Sequence, residues 1–487
     1  MRVKIACLSL LFFSSPILLF SKELAFKSGS DYLSIAREMK QKGDMEKAID
    51  YYKMALEVNP DNLIASRDLA FIYYRQKRYD ESLDYFQKVL SLSKDNIAVL
   101  SNIGHILFRK KCMIGKAVEI YKKIVELDPK NMRAHGMLCD GYLKLGEFEK
   151  AFEKRKFLDK SGVDHEVNQM EKVWQGEDLN GKTILIHDNI GIGDMFLWIR
   201  YASMFKERGA KVIVQVRKFL IPILASCSSI DQLISKEDIV PYFDFQAGVG
   251  QLHHRINKTI DDIYKFGFNI PYLKANQKLV QAWSYILGSD KNFKIGLCWD
   301  ASQYFNRSTG EKVVNPRSMP LSEFYPLSKL KNVTLYSLQK ANGIEQLNDL
   351  PSDFVVNTLG DDFDKKYGAF MDTAAVMKNL DLVITIDTSV AHLAGALGIP
   401  VWLVVPYVSD WRWFLNKQDS PWYPTMKIFR QKKLDDWGSA VIDIVSQFSG
   451  LIDNRDCEAK EEENGGIEDR IKSNTKSYMK YVLRELL

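Results

Sequence analysis

The chain has 487 residues, 46% hydrophobic and 26% charged, a balance that excludes a disordered or fibrous protein and at this length points to two or three domains. Its 67 basic against 62 acidic residues leave a net charge of +5, and no Lys/Arg block is interleaved with aromatics, so no nucleic-acid partner is expected. The six cysteines (Cys7, Cys112, Cys139, Cys227, Cys298, Cys457) form no C-x-x-C pair and have no histidine at ligand spacing, so neither a zinc site nor a disulfide framework is expected.

The chain opens with Arg2 and Lys4, an apolar run from Ile5 to Phe20, then Ser21-Lys22. Residues 1–21 have the form of a signal peptide or signal anchor. Pro16 and a run shorter than the roughly 20 residues of a membrane span favour export, or a membrane tether through residues 5–20, over multi-pass residence.

From about Ser30 the sequence repeats. Ala36, Gly43, Ala48, Tyr52, Ala55 and Pro60 stand at the spacing of the tetratricopeptide pattern, with small residues where two helices touch and Pro where the second must end. A second unit keeps Leu69, Ala70, Tyr73 and Phe86 but has Ser82 and Lys94 at the Ala and Pro positions. A third shows Gly104, Ala117, Tyr121, Ile124 and Pro129, with about one residue inserted near Lys111-Cys112-Met113. A fourth has Leu138, Cys139, Tyr142, Gly146 and Ala151. Four units in register predict an α-solenoid over residues 30–162. Its concave face is the expected place for a protein or peptide, and the alternative role is dimerisation or bracing of the next domain.

At about Trp174 the period ends. Thr183 to His187 reads as a strand, Gly191-Ile192-Gly193-Asp194 as a loop, Met195 to Arg208 as a helix closed by Gly209, and Lys211 to Val216 as a second strand. After Lys294 follow KIGLCWD, VTLYSLQK (333–340), FVVNTL (354–359), DLVITID (381–387) and VWLVVP (401–406), read as strands with helices between them. This alternation predicts parallel sheets in two doubly wound halves, over residues 174–288 and 289–450, with ligands at the carboxyl ends of the strands. Residues 451–487 read as a polar linker and a weakly amphipathic C-terminal helix.

In VITIDTSVAHLAGALGIPVWLVV (383–405), Asp387 ends a buried strand, Thr388 and Ser389 open a helix over Val390 to Leu397, and His392 lies about one turn in on the face of Ser389. Unpaired N–H groups beside two hydroxyls suit a phosphate or diphosphate. His392 could reach a phosphate or sugar hydroxyl, and Asp387 could accept from vicinal hydroxyls. An ordinary N-cap with a packing histidine fits the same spacing.

This stretch resembles the signature of the glycosyltransferase family 9 domain, the heptosyltransferase-like group, in the bacterial variety that follows tetratricopeptide repeats. Further segments similar to that group are WQGEDLNGKTILIH (174–187), GIGD with Arg200-Tyr201, KIGLCW (294–299), RSMPL (317–321), SLQK (337–340), DTAAVM (372–377), DWRWF (410–414) and SPWYPTMKIFRQ (420–431). The resemblance implies a two-Rossmann fold of GT-B type and a hexosyl- or heptosyl-type glycosyltransferase. The expected donor is a nucleoside-diphosphate-sugar, used as co-substrate with no cofactor and no metal, and the expected acceptor a saccharide or protein. It implies donor binding by Asp387, Thr388, Ser389 and His392, with Lys340 a phosphate contact and Arg412 assisting. Lys340 also fits a strand-end charge, and Arg412 a cation stacked between Trp411 and Trp413.

In the N-terminal half, Gly191, Gly193 and Asp194 match the family's glycine-aspartate loop, which implies that Asp194 is the catalytic base for the acceptor hydroxyl. Asp194 also fits an N-cap for a helix starting at Met195. Asp362-Phe363-Asp364 spells a D-x-D motif but falls in a polar loop and reads as a solvated turn. Relatives usually carry Glu-Gln where this chain has Asn189-Ile190, a Thr where it has Met195, and a Gly-Asn-like pair near Asp300-Ala301-Ser302. The alternative class is therefore a non-catalytic tetratricopeptide adaptor with a degenerate transferase domain. Nucleotide-sugars are cytosolic, so an active enzyme is expected to be membrane-anchored with a cytoplasmic catalytic domain. Export after cleavage is the other placement.

Overall fold

The computed structural model describes residues 28–160, 171–256, 259–267, 269–302, 304–305, 312–313 and 315–448. The expected N-terminal signal or anchor and the C-terminal linker and helix lie outside the described residues. No helix among the described residues is long and apolar enough to cross a membrane. The chain divides into two compact units between Ala134 and His135.

The N-terminal region is a helical-repeat array: α1 (Gly29–Gln41), α2 (Met45–Val58), α3 (Leu63–Arg75), α4 (Tyr79–Leu92), α5 (Ile97–Arg109), α6 (Ile114–Leu127), α7 (Met132–Leu145) and α8 (Phe148–Lys160). Short polar side chains start several of these helices. Ser28 forms a capping box with Asp31, and Asn62 and Asn96 accept from backbone N–H groups of the following turn. Each hairpin turns on one residue with positive φ: Gly43 (83°), Lys77 (59°), Cys112 (52°) and Gly146 (78°). Residues 110–113 join α5 to α6, one more than the 42–44 and 76–78 of the first two hairpins, so the inserted residue is absorbed in a longer turn.

Where the second repeat has Ser in place of Ala, the buried Ser82 hydroxyl donates to the Ala70 carbonyl at 2.8 Å. This satisfies a polar group that would otherwise destabilise the helix contact. The division between units falls inside α7, and the fourth hairpin, α7–α8, belongs largely to the second unit.

In the second unit, β1 (Thr183–His187), β2 (Lys211–Val216), β3 (Gln232–Ser235) and β4 (Phe245–Gly248) form a parallel sheet in the order β3-β2-β1-β4. β5 (Phe293–Cys298) leads to a short antiparallel pair, β6 (Tyr304–Phe305) and β7 (Lys312–Val313). It then joins β8 (Val333–Ser337), β9 (Leu382–Ile386), β10 (Val401–Val405) and β11 (Met426–Arg430) in a second parallel sheet, ordered β11-β10-β9-β5-β8. β9 and β10 are buried along their whole length. Covered on both faces, they read as continuous apolar runs rather than alternating ones.

Three expectations change. FVVNTL (354–359) is not a strand: only Asn357 bridges to Tyr336, because the segment leaves the edge strand β8 after one residue pair. The expected helix from Met195 to Arg208 starts at Ile192 and is broken into Ile192–Trp198, a 3₁₀ turn Ile199–Tyr201 and Ala202–Glu207. The break lies where the buried Arg200 guanidinium turns to the carbonyls of Leu197 (3.0 Å) and Trp422 (2.7 Å). The helix expected from Val390 runs over Ser389–Ala396.

These strand orders contain one reversal each. In the first sheet the chain turns back between β1 and β4, and in the second between β5 and β9. A crevice opens beyond the carboxyl ends of such a strand pair, because the connecting segments leave toward opposite sides. The glycine loop follows β1, and Asp387-Thr388-Ser389 follows β9.

Candidate functional site

Gly191, Gly193, Asp194, Lys340, Asp387, Thr388, Ser389, His392 and Arg412 all line one cavity of ≈ 570 Å³, together with Cys298, Asp300, Arg317, Asp364 and Thr373. The glycine loop meets the DTSVAH turn directly. A Cβ on Gly193 would lie 2.8 Å from His392 Cδ2 and 3.4 Å from Ser389 Cα, so only glycine allows this approach of two helix starts.

Asp387 sits at the end of β9 with 1% of its surface exposed. Its Oδ2 lies 3.5 Å from Arg317 Nη1. Its Oδ1 makes no hydrogen bond and lies 3.7 Å from His392 Nε2. Burial alone would raise its carboxyl, but the neighbouring His392 and Arg317 outweigh burial and hold it below the usual carboxylate range. A buried carboxylate oxygen left without a donor favours a ligand that supplies one. His392 is fixed from both sides: Nδ1 is 3.0 Å from the Tyr423 hydroxyl, and the ring stacks on Trp413 with centroids 5.4 Å apart.

Thr388 occupies the N-cap position of Ser389–Ala396 without a side-chain cap. Its hydroxyl instead faces Cys298 Sγ at 3.7 Å and Thr385 Oγ1 at 3.5 Å. The ordinary N-cap reading is thus not what forms, and the first N–H groups of the helix face the cavity uncapped by a side chain. Burial pushes the Cys298 thiol up to about 11, so it stays neutral beside them.

Asp194 stands in the first turn of Ile192–Trp198, and Gly191 holds the N-cap position, so the N-cap reading of Asp194 is corrected. Its carboxylate forms an ion pair with Arg412 Nη1. Asp410 Oδ1 grips the same arginine, accepting from Arg412 Nε at 2.9 Å and N at 3.0 Å. Burial pulls Arg412 down to about 10, which leaves it cationic at neutral pH. Trp411 and Trp413 do not sandwich it. Trp411 stacks on Trp198 (6.2 Å) and His253 (5.5 Å), and Trp413 on His392.

Lys340 is exposed at the cavity rim, with Nζ donating to the Phe363 carbonyl. The D-x-D stretch is only half a solvated turn. Asp362 is exposed, but Asp364 lines the cavity and accepts from Asp372 N (2.7 Å), Thr373 N (3.0 Å) and the Thr373 hydroxyl, tying down the start of the helix Met371–Met377. Burial raises its carboxyl despite those bonds. The buried Gln339, next to Lys340, ties the loop after β5 to the loop after β8: its Oε1 accepts from Trp299 N and Asp300 N, both at 3.0 Å, and its Nε2 donates to Asp300 O and Asn342 O.

Sequence reasoning did not select Arg317 as a site residue. Its signal was present in the RSMPL segment, but the connection from a loop to Asp387, 70 residues on, exists only in three dimensions. The divergent pair Asn189-Ile190 fits two glycines. A Cβ on Gly248 would lie 2.6 Å from Asn189 Nδ2, one on Gly250 2.5 Å from Ile190 Cγ2, and Gly250 N donates to Asn189 Oδ1 at 3.3 Å.

Comparison with known proteins found partial similarities. A tetratricopeptide-repeat family model matches residues 33–97. The curated Protein FlbA of Caulobacter vibrioides is 23% identical over 291 residues, covering 54% of this chain and 46% of FlbA, so the chain spans less than half the length of that relative. A solved glycosyltransferase family 9 structure from Veillonella parvula is similar over 64% of this chain and 100% of its own, at 11% identity and a TM-score of 0.39. YrrB, a tetratricopeptide protein described as having an unusual peptide-binding site, is similar over 30% of this chain and 75% of its own, at 19% identity and a TM-score of 0.26. The chain thus joins an N-terminal tetratricopeptide-repeat region to an α/β region of two parallel sheets.

Proposed function

We propose that the chain is a glycosyltransferase that moves a sugar from a nucleoside-diphosphate donor to a saccharide or protein acceptor, without metal or cofactor. In this reading the repeats bind a protein or peptide, or place the acceptor. One observation carries it. The uncapped helix start at Thr388–Ser389, the cations Arg317 and Lys340, and a buried carboxylate with a free oxygen converge on one cavity at the sheet reversal, which suits a diphosphate joined to a polyhydroxylated ring. The DTSVAH, glycine-loop and SPWYPTMKIFRQ resemblances support the same donor class and the same residues.

In the transfer step the acceptor oxygen bonds to the sugar's anomeric carbon as that carbon's bond to the diphosphate oxygen breaks. The acceptor proton passes to Asp194, once Arg412 has shifted from it. The departing diphosphate gathers its charge against the helix start, Arg317 and Lys340, with Arg412, released from Asp194, assisting. The Asp194–Arg412 ion pair also favours a second reading, the non-catalytic adaptor, since a carboxylate held by arginine is a weak base.

A thermal-shift screen of the purified chain against UDP, GDP, ADP, dTDP, CMP and their sugar conjugates tests the choice, with Asp387→Ala and His392→Ala as controls. A ligand at 100 times its Kd adds about 2.7 kcal/mol. Stabilisation of the wild type and not of the controls supports the transferase. Binding without turnover of the matching nucleotide-sugar favours the adaptor, and no binding at all refutes the donor site.

A further inference from the structure

The fourth helical hairpin reaches the Arg412 side of the cavity. Lys144, near the end of α7, is 3% exposed, and its Nζ donates to the Ser409 carbonyl. Ser409 opens the segment 409–414 that carries Arg412, which is clamped in turn by Asp410 and Asp194. The rings of Trp411 and Phe414, on the same segment, meet Phe148 at the start of α8 with centroids 6.4 and 6.2 Å apart.

A buried ammonium is costly and persists only where it is well bonded. Stacking of one helical repeat on the next calls for an apolar side chain, not a lysine. Lys144 instead joins the repeat to the loop that aims the arginine.

We propose that Lys144 is a positioning residue: it holds segment 409–414 so that Arg412 stands opposite Asp194, which makes the fourth repeat a structural part of the candidate transfer site. The importance of that site rests on the glycosyltransferase reading; the linkage from Lys144 to Asp194 does not.

The test uses the full chain with Lys144→Met and Lys144→Arg. Backbone hydrogen exchange is followed over 409–414 and 192–198, and UDP binding by calorimetry. Lys144→Met should speed exchange in both segments, leave α1–α4 at wild-type protection and weaken UDP about tenfold, the loss expected when a charged hydrogen-bonding group is misplaced. Lys144→Arg, which keeps a buried cation and donor, should restore both.

Faster exchange confined to α7–α8, with 192–198 unchanged, would mean that Lys144 only anchors its own hairpin, and the proposal falls. Failure of Lys144→Arg to recover what Lys144→Met loses overturns it equally. If Lys144→Met does not fold, Lys144→Gln replaces it under the same expectations. If the wild type binds neither UDP nor another nucleoside diphosphate, the transferase reading fails, and exchange over 192–198 alone decides the role of Lys144.

Discussion

Gly193→Ala is the sharpest perturbation of the proposed donor site. The added methyl would lie 2.8 Å from His392 Cδ2, 3.4 Å from Ser389 Cα and 3.5 Å from Ser389 N. His392 cannot swing away, since its ring is stacked on Trp413 and bonded to the Tyr423 hydroxyl. The two helix starts must separate, and overpacking of this kind costs ~1–3 kcal/mol. In a unit of this size that corresponds to a melting-temperature loss of ~2–5 °C. Gly191→Ala is the matched control, because its methyl would meet only the end of a side chain, Asp194 Oδ2 at 3.2 Å. Thermal denaturation of both variants, with and without the nucleotide found in the screen, gives the comparison. Gly193→Ala should melt lower and lose most of its ligand-induced shift, while Gly191→Ala keeps both. Equal melting temperatures and ligand shifts for Gly193→Ala and wild type would refute the close approach.

Asp387 has its carboxyl lowered in the folded chain, so its contribution to stability is full above the unfolded value near pH 4 and drains as pH falls through the folded value. Urea midpoints at pH 7, 5 and 3 should therefore show a shallower acid loss for Asp387→Asn, and parallel curves would count against the pairing with His392 and Arg317. Arg317→Ala should weaken nucleoside-diphosphate binding by about tenfold or more, as loss of a charge-assisted contact does, read by calorimetry; unchanged affinity would remove it from the site. In the first unit, a Cβ on Gly104 would lie 2.9 Å from Tyr121 Cζ, so Gly104→Ala should destabilise the α5–α6 contact by ~1–3 kcal/mol. Hydrogen exchange in α5 and α6 measures it, and wild-type protection there would contradict the packing.

The repeats were legible because each hairpin reuses the same small-residue and aromatic positions, and even the extra residue near Cys112 showed as a break in the period. β9, β10 and the segment between them were legible for a different reason: strands buried on both faces are almost continuously apolar, with Thr385 the one hydroxyl within β9, so Asp387 and Thr388 stand out at its end. β3 and β4 escaped detection because four-residue strands carry too little pattern, and FVVNTL misled because its apolar run is not matched by burial: Phe354 is buried but Val355 is exposed, and the segment makes a single bridge to β8. At the candidate site, residue identities came from sequence but their pairings did not. Arg412 was read with its two tryptophan neighbours in the chain, whereas its partners are Asp410 and Asp194. Asp364 was read as solvated because burial of one member of an acidic turn depends on the helix it caps.

Asn189 and Ile190, just after β1, each oppose a glycine three strands on in sequence order: Gly248 at the end of β4 and Gly250 in the helix that follows it. Neither member of such a pair is free to grow alone. A side chain at 248 or 250 would be tolerated only after the opposing residue had shrunk, whereas enlarging 189 or 190 would find no slack to take up. These four positions should therefore drift through descent as linked characters. An engineer placing Glu-Gln, the pair usual in the glycosyltransferase group this stretch resembles, ahead of the glycine loop would need to reshape the end of β4 and the start of the helix after it in the same step.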